Sequence, residues 1–289
     1  MPHLHDERLG HGHPLLALHG FAVDHRIMSG FLEPVASRHG GLLRLYPDPP
    51  GMGLSSGEGV NSTLDVLDAV EHYVDETIGT QPFALIGESY GGYLARALAR
   101  RRAKQVTGLA LICPIGTAVA RDDRDLPAAE IRRTDPTFWN TLHDTDPAAA
   151  ESFGELVVVR DAPTYERFAS DIAPGLTRGD RTTQARITAA YALADPPESG
   201  RGPAFGGPTL IVTGRQDMCV GYRDQLALLD HYPHATFAVL DTAGHNAQIE
   251  RPEAVTALVG DWLERVGVDA GWAVKMCTTL ISQHPSRFN

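Results

Sequence analysis

The stretch Ile86-Gly87-Glu88-Ser89-Tyr90-Gly91-Gly92 sets a serine between glycines at the junction of two different patterns. Residues 82–86 form a short apolar run opened by a proline, which reads as a buried strand. From Tyr93 the apolar positions recur with a helical period. G-x-S-x-G between a strand and a helix is a context with chemical meaning. Gly87 and Gly91 permit the tight backbone that lifts Ser89 above the carboxyl end of the strand. The helix start behind it offers free N–H groups and a positive dipole end to developing negative charge. A glycine-rich turn with an incidental serine would carry the same pentapeptide; the flanking strand and helix favour the nucleophile.

Outward from this turn the same alternation repeats. Apolar runs at 14–18, 41–45, 107–112, 208–213 and 236–240 are bounded by Gly or Pro, without in-and-out alternation. That character suits parallel strands covered on both faces. Amphipathic stretches at 64–78, 93–102, 222–231 and 252–266 lie between them, so a mostly parallel α/β sheet is expected. One interval breaks the rhythm. Residues 115–207 show helix-like segments at 126–133, 147–159, 164–173 and 181–194, with many prolines and no convincing strand. They read as a helical cap inserted between two core strands. The expected domains are therefore a core of 14–114 and 208–266, a cap of 115–207, and terminal segments 1–13 and 267–289 of undetermined structure.

Composition narrows the partners. Lys+Arg number 25 against 36 Asp+Glu, for a formal net charge of −11 over 289 residues. An acidic chain without a basic block is a poor fit to nucleic acid or an anionic membrane. No apolar run approaches the roughly 18 residues of a spanning helix. The start of the chain lacks the basic and apolar regions of a secretory leader, so a cytoplasmic location is expected. Three scattered cysteines, Cys113, Cys219 and Cys277, outline neither a disulfide framework nor a Cys-rich zinc site.

A serine hydroxyl needs a base, and the base an orienting carboxylate. In the order serine, acid, histidine, the candidates lie on loops after later strands. Asp217 follows the run 208–213, and His245 follows 236–240 behind Gly244. Asp224 and Asp241 compete as acids, and Asp217 could instead cap a helix starting near Val220, but its place after the strand favours it as the acid. Ser89, Asp217 and His245 form the expected triad. Immediately after the strand 14–18 comes His19-Gly20-Phe21. Gly20 lets the chain turn so that the Phe21 N–H, with that of Tyr90, forms a pair of oxyanion donors. His19 reads as a hydrogen-bonding residue beneath that loop.

These pieces resemble the α/β-hydrolase fold superfamily. The turn Asp48-Pro49-Pro50-Gly51-Met52-Gly53-Leu54-Ser55 completes the match, which runs in the family's order from about Pro14 to Val266. The resemblance implies oxyanion roles for Phe21 and Tyr90, a structural role for 48–55, and a helical cap after the strand 107–112. A serine nucleophile argues against the carboxylate-using dehalogenases and epoxide hydrolases of this fold. The expected activity is acyl transfer to water on a small, partly apolar ester, lactone or thioester. Carbon–carbon hydrolysis of the meta-cleavage-product type, a proline-iminopeptidase-like aminopeptidase and a non-hydrolytic lyase or cyclase are the alternatives, and a ligand receptor ranks last.

Pocket candidates are His25, Trp139 and Met218, beside Phe21, Tyr90 and the cap aromatics Phe138, Phe153, Tyr165 and Phe168. At least half of the cap aromatics are expected to pack the cap itself. No cofactor and no metal is expected, and the state is monomer or homodimer. Residues 1–13, with His3, His5 and His11, show no strand pattern, so the family's first antiparallel strands are expected to be reduced or missing. The tail 271–281 has strand-like composition and no place in the ordinary fold.

Overall fold

The computed structural model describes residues 3–120, 123–199 and 205–267. Seven strands form one sheet in the order β1-β3-β2-β4-β5-β8-β9, with every neighbouring pair parallel except β1 with β3. They are β1 (Asp6–Gly10), β2 (His13–Leu18), β3 (Leu42–Pro47), β4 (Phe83–Glu88), β5 (Val106–Ile112), β8 (Thr209–Gly214) and β9 (Ala235–Leu240). The continuous apolar runs are explained by burial on both faces. Leu15, Ala84, Ile86, Ala110, Ile112, Leu210 and Val212 pack toward α1 (Arg26–Ala36) and α11 (Pro252–Val266). Their neighbours Leu16, Leu18, Leu85, Leu109, Leu111 and Ile211 pack toward α2 (Thr63–Thr77) and α3 (Ser89–Arg101). The helix α2 starts on Ser62, whose hydroxyl accepts the Asp65 N–H at 3.1 Å.

Three expectations need correction. The N-terminal segment is not irregular throughout: Asp6–Gly10 is an antiparallel edge strand, registered from Asp6 on Pro47 to Gly10 on Leu43. Its sequence hid it because an edge strand carries charges instead of an apolar stripe. Asp6 pairs with Arg8 and accepts the Tyr73 hydroxyl at 2.6 Å. Residues 126–133 form no helix, whereas 136–145 do, and the chain 26–36 is a further helix (α1) that was not anticipated. The helix α3 starts at Ser89, four residues ahead of the expected point.

Between β5 and β8 lie α4 (Pro136–Thr145), α5 (Pro147–Leu156), α6 (Ala162–Arg167), α7 (Ala173–Leu176) and α8 (Arg181–Ala189), with a π-helical turn at Phe168–Ile172. Two-residue strands β6 (Arg133–Thr134) and β7 (Val159–Arg160) pair in parallel. Short helices also form at α9 (Arg223–Leu226), which runs into a 3-10 turn at Ala227–His231, and at α10 (Ala247–Glu250). Phe153 is the hub of the segment's aromatic cluster, with ring centroids 5.3 Å from Tyr165, 5.2 Å from Phe168 and 6.4 Å from Trp139. No helix among the described residues is long and apolar enough to cross a membrane. The tail 271–281 lies outside the described residues.

Candidate active site

The sharp turn at the end of β4 exists because two glycines let three backbones meet. A β-carbon on Gly87 would fall 2.3 Å from the Gly91 carbonyl oxygen, and one on Gly91 would fall 2.1 Å from that of Leu18. Between them Ser89 is held at φ 52°, a left-handed conformation that costs a non-glycine residue about 1–2 kcal/mol. The surrounding packing sustains it: the Ser89 carbonyl accepts the Ile115 N–H at 3.2 Å. Ser89 thus stands at the carboxyl end of β4 and at the first position of α3.

The loops after β8 and β9 bring the other two residues to it. His245 Nε2 lies 2.8 Å from Ser89 Oγ, and His245 Nδ1 lies 2.9 Å from Asp217 Oδ2. Asp217 is fully buried and divides its oxygens between two tasks. Oδ1 accepts the N–H groups of Cys219 and Val220 at 2.8 and 2.9 Å, so one carboxylate both closes its own turn and contacts the His245 ring. The competing acids go elsewhere. Asp241 is exposed and accepts Gln216 Nε2 at 2.9 Å, and Asp224 sits in α9 against Gly116.

Burial alone would lower the His245 imidazole. The charge of Asp217 leads the effects that outweigh it, with further contributions from Cys219, the Asp217 hydrogen bond and Glu88, so its pKa stands well above the usual 6.5.

Sequence reasoning missed Glu250 as a support for this loop. Its Oε2 accepts the Gly244 N–H at 2.6 Å, while Oε1 accepts the N–H groups of Val158 and Val159. Burial pushes this carboxyl up to about 7 against those three N–H donors. One side chain therefore ties the histidine loop to the segment between β5 and β8. Asn246 adds a second tie, donating Nδ2–H to the Leu156 carbonyl at 2.8 Å. Nothing in the spacing of Glu250 pointed to this, because Val158 and Val159 lie 92 and 91 residues away.

On the opposite side, the loop after β2 carries Phe21. Gly20 passes so close to Glu88 that a β-carbon would lie 2.3 Å from Oε2. The Phe21 ring meets the Tyr90 ring edge-on at 5.3 Å, and Tyr191, unforeseen from sequence, stacks on Tyr90 at 5.3 Å. Tyr90 lies in the first turn of α3, where backbone N–H groups have no partner inside the helix. His19 is fully buried beneath the loop, with Nδ1 2.7 Å from the Gly20 carbonyl and Nε2 3.4 Å from Asp48 Oδ1. Asp48 closes its own turn by accepting the Leu54 N–H at 2.9 Å.

The pocket candidates fare differently. Met218 sits in the acid loop between Asp217 and Cys219. The contacts of His25 run to Asp48 and His5, and those of Trp139 to Arg160, His143 and Phe153. Neither side chain bonds to Ser89 or His245.

Glu88 is the buried group with no assigned task. Its Oε1 lies 3.7 Å from His245 Nε2, and Oε2 is a buried oxygen without a hydrogen-bond partner. Burial pushes its pKa up to about 7, although the charges of His245 and His19 and the Gly20 N–H pull the other way. Glu88→Gln removes a negative charge that favours the proton on His245. A reaction needing the neutral imidazole loses rate as pH falls through the His245 pKa. The acid limb of kcat/KM should therefore move to lower pH in Glu88→Gln. A limb that stays where it was would show that Glu88 does not act on His245.

Comparison with known proteins places the site in context. A model of the alpha/beta hydrolase fold family matches residues 13–252. The chain is 28% identical over 266 residues to a pimeloyl-[acyl-carrier protein] methyl ester esterase of Shewanella woodyi, covering 91% of this chain and 98% of the relative. It is 25% identical over 280 residues to a 2-hydroxymuconate semialdehyde hydrolase of Pseudomonas putida, covering 90% and 89%. An alpha/beta superfamily hydrolase from Oenococcus oeni superposes with a TM-score of 0.83 at 28% identity, covering 91% of this chain and 96% of that one.

Proposed function

The chain belongs to the α/β hydrolase fold family, and we propose that within it the protein is a serine hydrolase of small, partly apolar carboxylic esters, lactones or thioesters. The observation that carries this reading is the unbroken hydrogen-bonded line from Asp217 through His245 to Ser89, at 2.9 and 2.8 Å. In this mechanism Ser89 Oγ attacks the substrate carbonyl as its proton passes to His245 Nε2. Asp217 keeps the Nδ1 proton in place and stabilises the imidazolium. The N–H groups of Phe21 and Tyr90 receive the developing oxyanion, each worth roughly 3 kcal/mol in such sites. The imidazolium then protonates the leaving group, and an acyl-enzyme on Ser89 remains. Water, activated by the same histidine, releases the acid and restores Ser89.

Residues 115–207 act as the cap in this proposal. Their ties to the histidine loop through Glu250 and Asn246, and to the elbow through Tyr191, support that role. The rings of Phe21, Tyr90 and Tyr191 make an apolar wall, which suits an acyl chain or ring better than a charged group. The methyl ester esterase among the relatives supports ester chemistry. The semialdehyde hydrolase among them is the reason to assay carbon–carbon cleavage as well.

The test joins a covalent probe to a substrate panel. A fluorophosphonate should label Ser89, read by peptide mass mapping, and acyl esters, lactones and thioesters should be turned over faster than aminoacyl amides or vinylogous diketones. Labelling at another residue, or none on folded protein, would overturn the serine mechanism. Diketones as the best substrates would replace the ester assignment with carbon–carbon hydrolysis.

A further inference from the structure

The histidines that precede β1 and follow β2 were left without a task by the catalytic reading. In the fold, His5, His25 and Asp48 each bring one ligand atom into a cluster within 4.8 Å of one another. We propose that these three residues form a binding site for one divalent transition-metal ion of the zinc class, separate from Ser89, Asp217 and His245. This departs from the sequence expectation that the chain holds no metal site.

Three features support the assignment. The donor set is two imidazole nitrogens and one carboxylate oxygen, a combination that first-row divalent ions take while leaving a position for water. One pair is already close to what an ion needs: His25 Nδ1 and Asp48 Oδ1 are 3.0 Å apart, against roughly 3.3 Å for two donors of a tetrahedral ion at about 2.05 Å, and the His5 ligand atom lies within 4.8 Å of both. The ligands are also held by their own backbones. His5 donates its N–H to Ser55 Oγ at 2.8 Å and accepts the Asp48 N–H at 2.8 Å. Ser55 Oγ in turn donates to the Asp48 carbonyl at 2.6 Å. The His25 N–H donates to Asp48 Oδ1 at 2.8 Å, and the Leu54 N–H holds Oδ2. The stretches at His5 and His25 are thus locked to the turn 48–55 before any ion arrives, which lowers the ordering cost of binding. Hydrogen bonds on a ligating carboxylate fix its orientation in the same way.

Access and selectivity follow from burial. Asp48 is fully buried, whereas the His25 side chain keeps 13% of its exposure and His5 is half-buried, so the ion enters from the histidine side. His3 and His11 are exposed on the same segment and lie outside the cluster, which makes them internal controls. A second grouping, Asp217 with Cys219 and His245, also has one ligand atom each within 4.8 Å. A test has to separate the two.

The experiment uses the full, untagged chain after chelator treatment, titrated with Zn²⁺ by calorimetry and with Co²⁺ by absorption. One ion per chain is expected, with a rise in Tm on the order of 5 °C at saturating zinc, because the ion joins three chain segments only in the folded state. His5→Ala and His25→Ala should each weaken binding at least tenfold, while His3→Ala and His11→Ala leave it unchanged. His5→Ala should leave the metal-free hydrolytic rate unchanged. The cobalt spectrum should lack a thiolate charge-transfer band. Binding that survives both His5→Ala and His25→Ala, binding lost in Cys219→Ser instead, or no binding to the folded chain would each overturn the proposal. Asp48 itself is left intact in the test, since its removal also opens the turn.

Discussion

Ser89→Ala is expected to lower kcat by about 10⁵- to 10⁶-fold while leaving a folded protein. The substitution deletes the atom that makes the new bond in the proposed mechanism, and with it the hydrogen bond to His245 Nε2. It removes little else. Gly87 and Gly91 still allow the close backbone approach, and alanine occupies the same φ that serine already tolerates. The oxyanion donors and the binding surface remain, so a residual rate above that of water should persist. Near-UV circular dichroism and Tm check the fold, and turnover of the best ester in the panel checks the activity. A variant that folds and keeps more than a hundredth of the wild-type rate would show that Ser89 is not the nucleophile.

Asp217→Asn should cost about 10⁴-fold in turnover with little change in Tm. The division of labour on this side chain explains both halves of the expectation. The amide oxygen takes over the two N–H groups of Cys219 and Val220, which preserves the turn. That choice points the amide NH₂ at His245 Nδ1, which must then accept. The ring proton is driven to Nε2, and a protonated Nε2 has no lone pair for the Ser89 proton. Asp224→Asn and Asp241→Asn serve as controls and should stay within a few-fold of wild type, because their contacts run to Gly116 and Gln216 instead. A loss in Asp224→Asn as large as in Asp217→Asn would reassign the acid.

The meeting of Ser89, Asp217 and His245 was legible because each carries a local signature. A glycine-flanked serine sits between strand and helix, an aspartate follows one apolar strand, and a Gly-His pair follows another. The strands themselves were legible for a related reason. Burial on both faces requires an uninterrupted apolar run, and such runs stand out between polar neighbours. The edge strand β1 escaped notice because only one apolar side chain, Leu9, lies within Asp6–Gly10. The partners of Trp139 and His25 were not legible, because an aromatic or imidazole ring near a loop does not declare which way it faces. Their contacts to Arg160 and Asp48 are properties of the packed chain.

What the sequence by itself determined is the kind of structure and three positions within it: period, glycine placement and order along the chain specify a mostly parallel α/β sheet with Ser89, Asp217 and His245 just past strand ends. Those features act within about ten residues, the range over which backbone sterics and hydrophobic periodicity operate. What only the tertiary structure decided is which groups share one environment. Glu250 reaches Val158, Tyr191 reaches Tyr90, and Glu88 lies beside His245, across separations that no periodicity records. The His5–His25–Asp48 cluster likewise draws on the start of β1, the end of β3 and the N-terminus of α1, which meet because β1 and β2 flank β3 in the sheet. The physical reason is the same in each case. Hydrogen bonds, ion pairs and ring contacts fall off within a few ångströms, so they read the positions that the packed core imposes and not the order of residues along the chain.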